Sequence, residues 1–164
     1  MAGCYHRAMN FEHLIAINDP GNPLVVPLAR RQLWVGLLHR VDNPPLFLPG
    51  LESFTILERQ YDSARRELDF GGARIRDRVT LDEEQSVRFD IEPGELHAGG
   101  SLTIRIEEPE ASHLFLRFTY VTGFAAQSGS EDAAYVEYVK SAYHQSDLDC
   151  VRIIRTLAAE GTCQ

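Results

Sequence analysis

The sequence predicts an α+β fold in which a seven-stranded antiparallel sheet curls around one long C-terminal helix. Three observations carry this expectation. Between Ser53 and Tyr120, apolar and polar residues alternate with period two, in runs separated by turn-forming residues. From Ser130 to Glu160 the apolar residues recur at helical spacing, and no Pro or Gly intervenes before Gly161. Ahead of both lie one strand-like stretch and two short helical segments.

Phe11 to Asn18 is short and apolar enough for a strand, and Asn18-Asp19-Pro20-Gly21 then turns the chain. Pro27 suits the first turn of a helix. Its apolar side is Leu33, Trp34, Leu37, Leu38 and Val41, and Arg30, Arg31 and Arg40 are polar. Asn43-Pro44-Pro45 ends it, because proline disfavours helical geometry in the residue before it. Leu46-Phe47-Leu48 reads as one further helical turn.

Six strands follow. Phe54 to Gln60 is the first. In the second, Arg66, Leu68 and Phe70 alternate with Arg65, Glu67 and Asp69. Gly71-Gly72 offers a two-residue hairpin turn, since glycine accepts the positive φ such turns require. Next, Ile75, Asp77, Val79 and Leu81 alternate with Arg74, Arg76, Arg78 and Thr80. Val87, Phe89 and Ile91 mark the fourth strand, Leu102, Ile104 and Ile106 the fifth, and Leu114, Leu116, Phe118 and Tyr120 the sixth. One apolar face per strand describes a sheet that is dry on one side and wet on the other.

In the terminal segment Tyr135, Val139, Ala142, Cys150, Ile153 and Leu157 form the stripe, widened by Tyr138, Tyr143 and Ile154. Ser130, followed by Glu131 and Asp132, is the expected N-cap, and Gly161 the stop. A helix of roughly 30 residues runs about 45 Å at ~1.5 Å per residue. Its apolar face must be buried, and the sheet is the available cover.

At 164 residues, one domain is expected: a domain over 9–161, an N-terminal extension over 1–8 and a tail over 162–164. The net charge of -8 argues against nucleic acid, because no basic stripe offsets it. Arg74, Arg76 and Arg78 share one strand face, read as a solvated face. No apolar run is long enough to span a membrane, and Met1 to Met9 has no apolar core of the signal-peptide kind. Cys4, Cys150 and Cys163 are odd in number and form no motif, which fits a reduced, cytoplasmic setting. The six histidines (His6, His13, His39, His97, His113, His144) show no pair at metal-ligand spacing, so no metal site and no cofactor are expected.

Local motifs sharpen this picture: Ile17-Asn18-Asp19-Pro20 after the first strand, Leu33-Trp34 in the first helix, and Pro45-Leu46-Phe47-Leu48-Pro49-Gly50 before the second strand. Gly71-Gly72 with Arg76-Asp77-Arg78-Val79, and Leu114-Phe115-Leu116-Arg117-Phe118, complete the set. With the element order, these residues resemble the START-related, birch-pollen-allergen-like (SRPBCC) superfamily, and within it the small AtaL-like branch of unassigned function. The resemblance runs from Met9 to Gly161. It implies a helix-grip fold with an apolar cavity between sheet and long helix, used by members as carriers, sensors, cyclases, dehydratases or hydrolases. The glycine-rich loop of the plant allergens is not matched, so no phosphate-binding role is carried over.

If the alternation holds, the cavity walls come from Leu68, Phe70, Ile75, Asp77 and Val79, then from Phe89, Leu102, Ile104, Leu116, Phe118 and Tyr120. Tyr135, Val139 and Tyr143 would supply the helix side. Asp77 is the most informative residue, since it falls between Ile75 and Val79 where alternation demands an apolar side chain. An unpaired buried carboxylate is costly, so it needs a partner or a task. Three readings stand: a structural Asp paired with an arginine or backbone amides, an anchor or general base at the cavity wall, or a bulge that turns it outward. His13 and His144 read as surface or satisfied core histidines ahead of catalytic ones. Tyr120, Tyr135, Tyr138 and Tyr143 either place hydroxyls on apolar walls to orient a ligand or pack as core aromatics.

Three functions follow, in order. The first is binding of a hydrophobic or aromatic small molecule. The second is a polyketide cyclase or dehydratase-like enzyme with Asp77 and a Tyr or His as acid and base. The third is a protein-interaction domain with a filled interior.

Overall fold

Each alternating run becomes a strand, and each helical stripe a helix. The computed structural model describes residues 6–94, 99–125 and 131–163, with side chains over 10–94, 99–122 and 137–163. Ser130, the expected N-cap, and Cys4 and His97 lie outside the described residues. Strand β1 (His6–Ala16) leads to helix α1 (Arg30–Asp42) and a 3-10 turn (Pro44–Leu46). Strands β2 (Ser53–Gln60), β3 (Ser63–Asp69), β4 (Arg74–Asp82), β5 (Ser86–Ile91), β6 (Gly100–Glu110) and β7 (His113–Ala125) follow, then helix α2 (Glu131–Ala159). The sheet runs β1-β7-β6-β5-β4-β3-β2, every neighbour antiparallel. This is the helix-grip α+β fold expected above.

Boundaries moved at three places. β1 already begins at His6, ahead of the expected Phe11. α1 starts at Arg30 rather than near Pro27. The Asn18 side-chain amide explains this: its Nδ2 donates to Leu28 O at 2.7 Å and its Oδ1 accepts from Leu28 N at 2.9 Å. Both backbone groups of Leu28 are thus held outside the helix. The second helical turn falls on Pro44–Leu46, two residues before its expected place, because Phe47 N and Leu48 N both donate to Pro44 O.

The core lies between the sheet's apolar face and the two helices. Val79, Val87, Ile104, Leu116 and Phe118 are fully covered, against Leu33 and Val41 of α1 and Ile154 of α2. Burying each such side chain is worth about 1.5–3 kcal/mol. Arg74, Arg76 and Arg78 are exposed on the opposite face, as read. Gly36 marks where the helices cross: a Cβ there would lie 2.5 Å from Ile154 Cγ2, so only glycine permits this approach. At the β3–β4 hairpin Phe70 N donates to Ala73 O, and Gly71 has φ +94° as the expected turn requires.

The long helix does not bury its stripe uniformly. Cys150, Val151, Ile154 and Leu157 are buried, whereas Tyr138 and Ala142 are exposed. The C-terminal half packs into the core. The half before it stands over a gap, where Val139 and Tyr143 are partly buried. That gap is the cavity.

Candidate functional site

Between the sheet and α2 lies a half-open cavity of about 400 Å³. Of the sequence-predicted residues, Leu68, Phe70, Ile75, Asp77, Phe89 and Leu102 line it from the sheet, joined by Tyr120. Val139 and Tyr143 line it from α2. Val79, Ile104, Leu116 and Phe118 face the same side of the sheet but do not reach it. They are fully buried in the core, so inward alternation, which placed them on the cavity wall, could not separate core from cavity. The Tyr135 side chain lies outside the described residues.

Asp77 is paired. Arg66 Nε donates to Oδ1 at 2.9 Å and Arg66 Nη2 to Oδ2 at 2.5 Å, with side-chain exposures of 3% and 4%. The remaining terminal nitrogen, Nη1, donates to Arg40 O at 3.1 Å and Val41 O at 3.0 Å, at the C-terminal end of α1 where cations are favoured. Both carboxylate oxygens are therefore engaged, and Arg66 ties the hairpin to the helix. Of the three readings of Asp77, this geometry is that of the structural pair.

A second polar chain runs behind the cavity wall. The Tyr120 hydroxyl donates to Asp147 Oδ1, and Asp147 Oδ2 lies 2.8 Å from His13 Nδ1. Asp147 is fully buried in α2, and burial raises its pKa above the ordinary aspartate range against the hydrogen bonds from Tyr120 and His13. Burial, and then the neighbouring Asp147 charge, push the Tyr120 phenol up. Tyr120 also stacks on Tyr143, with centroids 4.2 Å apart and planes 15° apart, and His13 lies 4.8 Å from the exposed His144 ring.

Arg40 also lines the cavity, its guanidinium carbon 5.5 Å from the Phe89 ring centroid; that of Arg66 is 5.2 Å away. Sequence reasoning set Arg40 among the polar residues of α1. A signal was present, since Arg40 follows Leu33 by seven residues and so shares its buried face. Asp147 is likewise absent from the apolar stripe read for α2, although it stands four residues after Tyr143. Arg66 had been placed inward without a role. Leu48, Ile91, Gly99, Gly100, Ser101, Val121, Thr122 and Ser146 also line the cavity and were not foreseen.

Comparison with known proteins now bears on this geometry. The family model described as AtaL, acetylaranotin biosynthesis cluster protein L, matches residues 15–161. The chain belongs to the AtaL family. No curated protein matches the sequence. Among solved structures, this AtaL-family chain is similar to the Zhui aromatase/cyclase from Streptomyces sp. R1128, with TM-score 0.62 and 16% identity over 90% of this chain and 92% of that one. It is similar to the di-domain ARO/CYC StfQ from the steffimycin biosynthetic pathway, with TM-score 0.69 and 12% identity over 93% of this chain and 52% of StfQ. Ara h 8.0201 aligns with TM-score 0.59 and 14% identity, covering 92% and 99%. At such identities these likenesses establish the shared fold, and function must be argued from the site.

Among the described residues, no helix of this AtaL-family protein is long and apolar enough to cross a membrane.

Proposed function

We propose that this AtaL-family protein binds a hydrophobic or aromatic small molecule in the cavity between sheet and α2. The observation that carries this reading is the cavity itself: about 400 Å³, walled mainly by Leu68, Phe70, Ile75, Leu102, Val139 and Tyr143. That space suits a small organic ligand, for which pockets of ~300–1,000 Å³ are usual. It does not support the filled interior of an interaction domain. The names of Zhui and StfQ, both aromatase/cyclases, support a ring-forming or aromatic ligand. Buried free Cys150 and Cys163 support a reducing, cytoplasmic setting.

The test is titration of the folded protein with N-phenyl-1-naphthylamine, a neutral apolar dye, together with native mass spectrometry of whatever co-purifies. One dye per chain is expected, with uptake lost in Leu102→Trp while the cooperative melt persists. No uptake by the folded wild type would overturn the reading.

A second reading, a cyclase or dehydratase-like enzyme, is favoured by the Tyr120–Asp147–His13 chain at the cavity wall more than by Asp77, whose oxygens are both held by Arg66. Tyr120→Phe should then remove turnover of a polyketide-type substrate and spare dye binding. Equal loss of both would support the carrier instead.

A further inference from the structure

Among the described residues, the acidic and basic side chains that line the cavity are Arg40, Arg66 and Asp77. Arg66 and Asp77 neutralise each other through two hydrogen bonds, and the other terminal nitrogen of Arg66 is taken by the Arg40 and Val41 carbonyls. Arg40 differs. Its side chain is only 8% exposed, yet no carboxylate among the described residues forms an ion pair with it. Its guanidinium lies over Phe89, with the buried Cys150 thiol against it and Tyr120 and Asp147 as further electrostatic neighbours. Asp147 itself is not part of the lining and is engaged by Tyr120 and His13. The cavity therefore carries one positive charge in excess, inside a chain whose net charge is -8.

A buried guanidinium without a carboxylate partner is costly, and its planar fork of donors matches a carboxylate or a similar oxygen anion. Resting on the ligand-binding reading above, we propose that the cavity takes an acidic hydrophobic molecule, an aromatic or alicyclic oxygen anion whose charged group pairs with Arg40. The apolar body lies against Leu68, Ile75, Leu102 and Val139, and Ser146 of α2 lines the same cavity. The acidic exterior offers such an anion no steering, so its selection is local: at the largely buried Arg40 one charge-assisted contact discriminates between an acid and its neutral analogue.

The experiment uses the full chain with N-phenyl-1-naphthylamine as reporter and two competitors of one ring system, 2-naphthoate and methyl 2-naphthoate. In the wild type 2-naphthoate should displace the dye at a concentration about tenfold or more below that of the ester, the order expected of a charge-assisted contact. Arg40→Gln should abolish that preference by weakening the acid at least about tenfold while leaving the neutral ester within about twofold. If Arg40→Gln does not melt cooperatively, Arg40→Met takes its place, keeping an apolar stem against Phe89. The wild-type comparison needs no variant. Dye uptake with equal displacement by acid and ester overturns this proposal alone and leaves the pocket standing. An acid preference that survives both Arg40 variants overturns the assignment to Arg40. Absence of dye uptake by the folded wild type overturns the pocket reading and this proposal together.

Discussion

Arg66 and Asp77 stand opposite each other across the β3–β4 hairpin, and the guanidinium donates to both carboxylate oxygens in a buried, forked pair. Removing one partner strands the other's charge. Asp77→Ala should cost about 3–5 kcal/mol in urea denaturation, as for other buried pairs broken on one side. The double variant Arg66→Met, Asp77→Leu should recover part of that loss, though not the bonds from Arg66 to the end of α1. A loss below ~1 kcal/mol for Asp77→Ala, the surface-pair range, would mean that the pair is not buried as described.

Strand faces can be tested by contrast. Ile104 is fully buried opposite Phe118, whereas the Arg74 side chain is 73% exposed. Ile104→Ala should cost about 2–5 kcal/mol and Arg74→Ala no more than ~0.5 kcal/mol. Similar losses from the two would refute the orientation of the sheet.

Asp147 should leave a mark on the pH dependence of stability. Its folded pKa is raised by burial, so the folded state holds that proton more tightly than the unfolded chain does. The contribution is fully present below the ordinary aspartate value and is lost as the pH rises through the raised one. Asp147→Asn removes the titration. Measured in a His13→Gln background, the Tm of the Asn variant should gain on its parent as the pH rises above the ordinary aspartate value. A flat difference above that value would count against a perturbed Asp147.

The gap beneath α2 can be plugged from the helix side. Val139 is partly buried and lines the cavity, so Val139→Trp should occupy space now open and lower dye affinity at least about tenfold. The melt should stay cooperative, because filling a void imposes less strain than overpacking a dense core. Unchanged uptake would place the dye elsewhere.

Much of the fold was legible because period and punctuation are local. Ile75 to Leu81 alternated and became β4; Gly71-Gly72 read as a turn, and Gly71 takes the positive φ. The register of Arg66 against Asp77 was also legible, since both lie five residues from the central Gly71-Gly72 pair of their hairpin. Arg40 and Asp147 were missed because charge was taken as a sign of solvent, although both keep step with apolar residues on the buried side of their helices. Tyr138 and Ala142 failed in the opposite sense: apolar character put them in the stripe, and the structure leaves them exposed.

The sequence by itself determined the strands and helices, their order, and which face of each strand turns inward. Those properties depend on residue spacing and turn chemistry within a few positions along the chain. Only the tertiary structure decided which inward residues are core and which are wall. Ile104 and Leu102 share one face of β6, two residues apart, yet Ile104 is fully buried in the core and Leu102 lines open space. The difference is made by where α1 and the C-terminal half of α2 reach the sheet. It also decided that Asp77 has an ion-pair partner in Arg66, while Arg40, on the same cavity, forms no ion pair among the described residues. Pairing of buried charges is a matter of distance in space, and periodicity along one chain segment does not encode it.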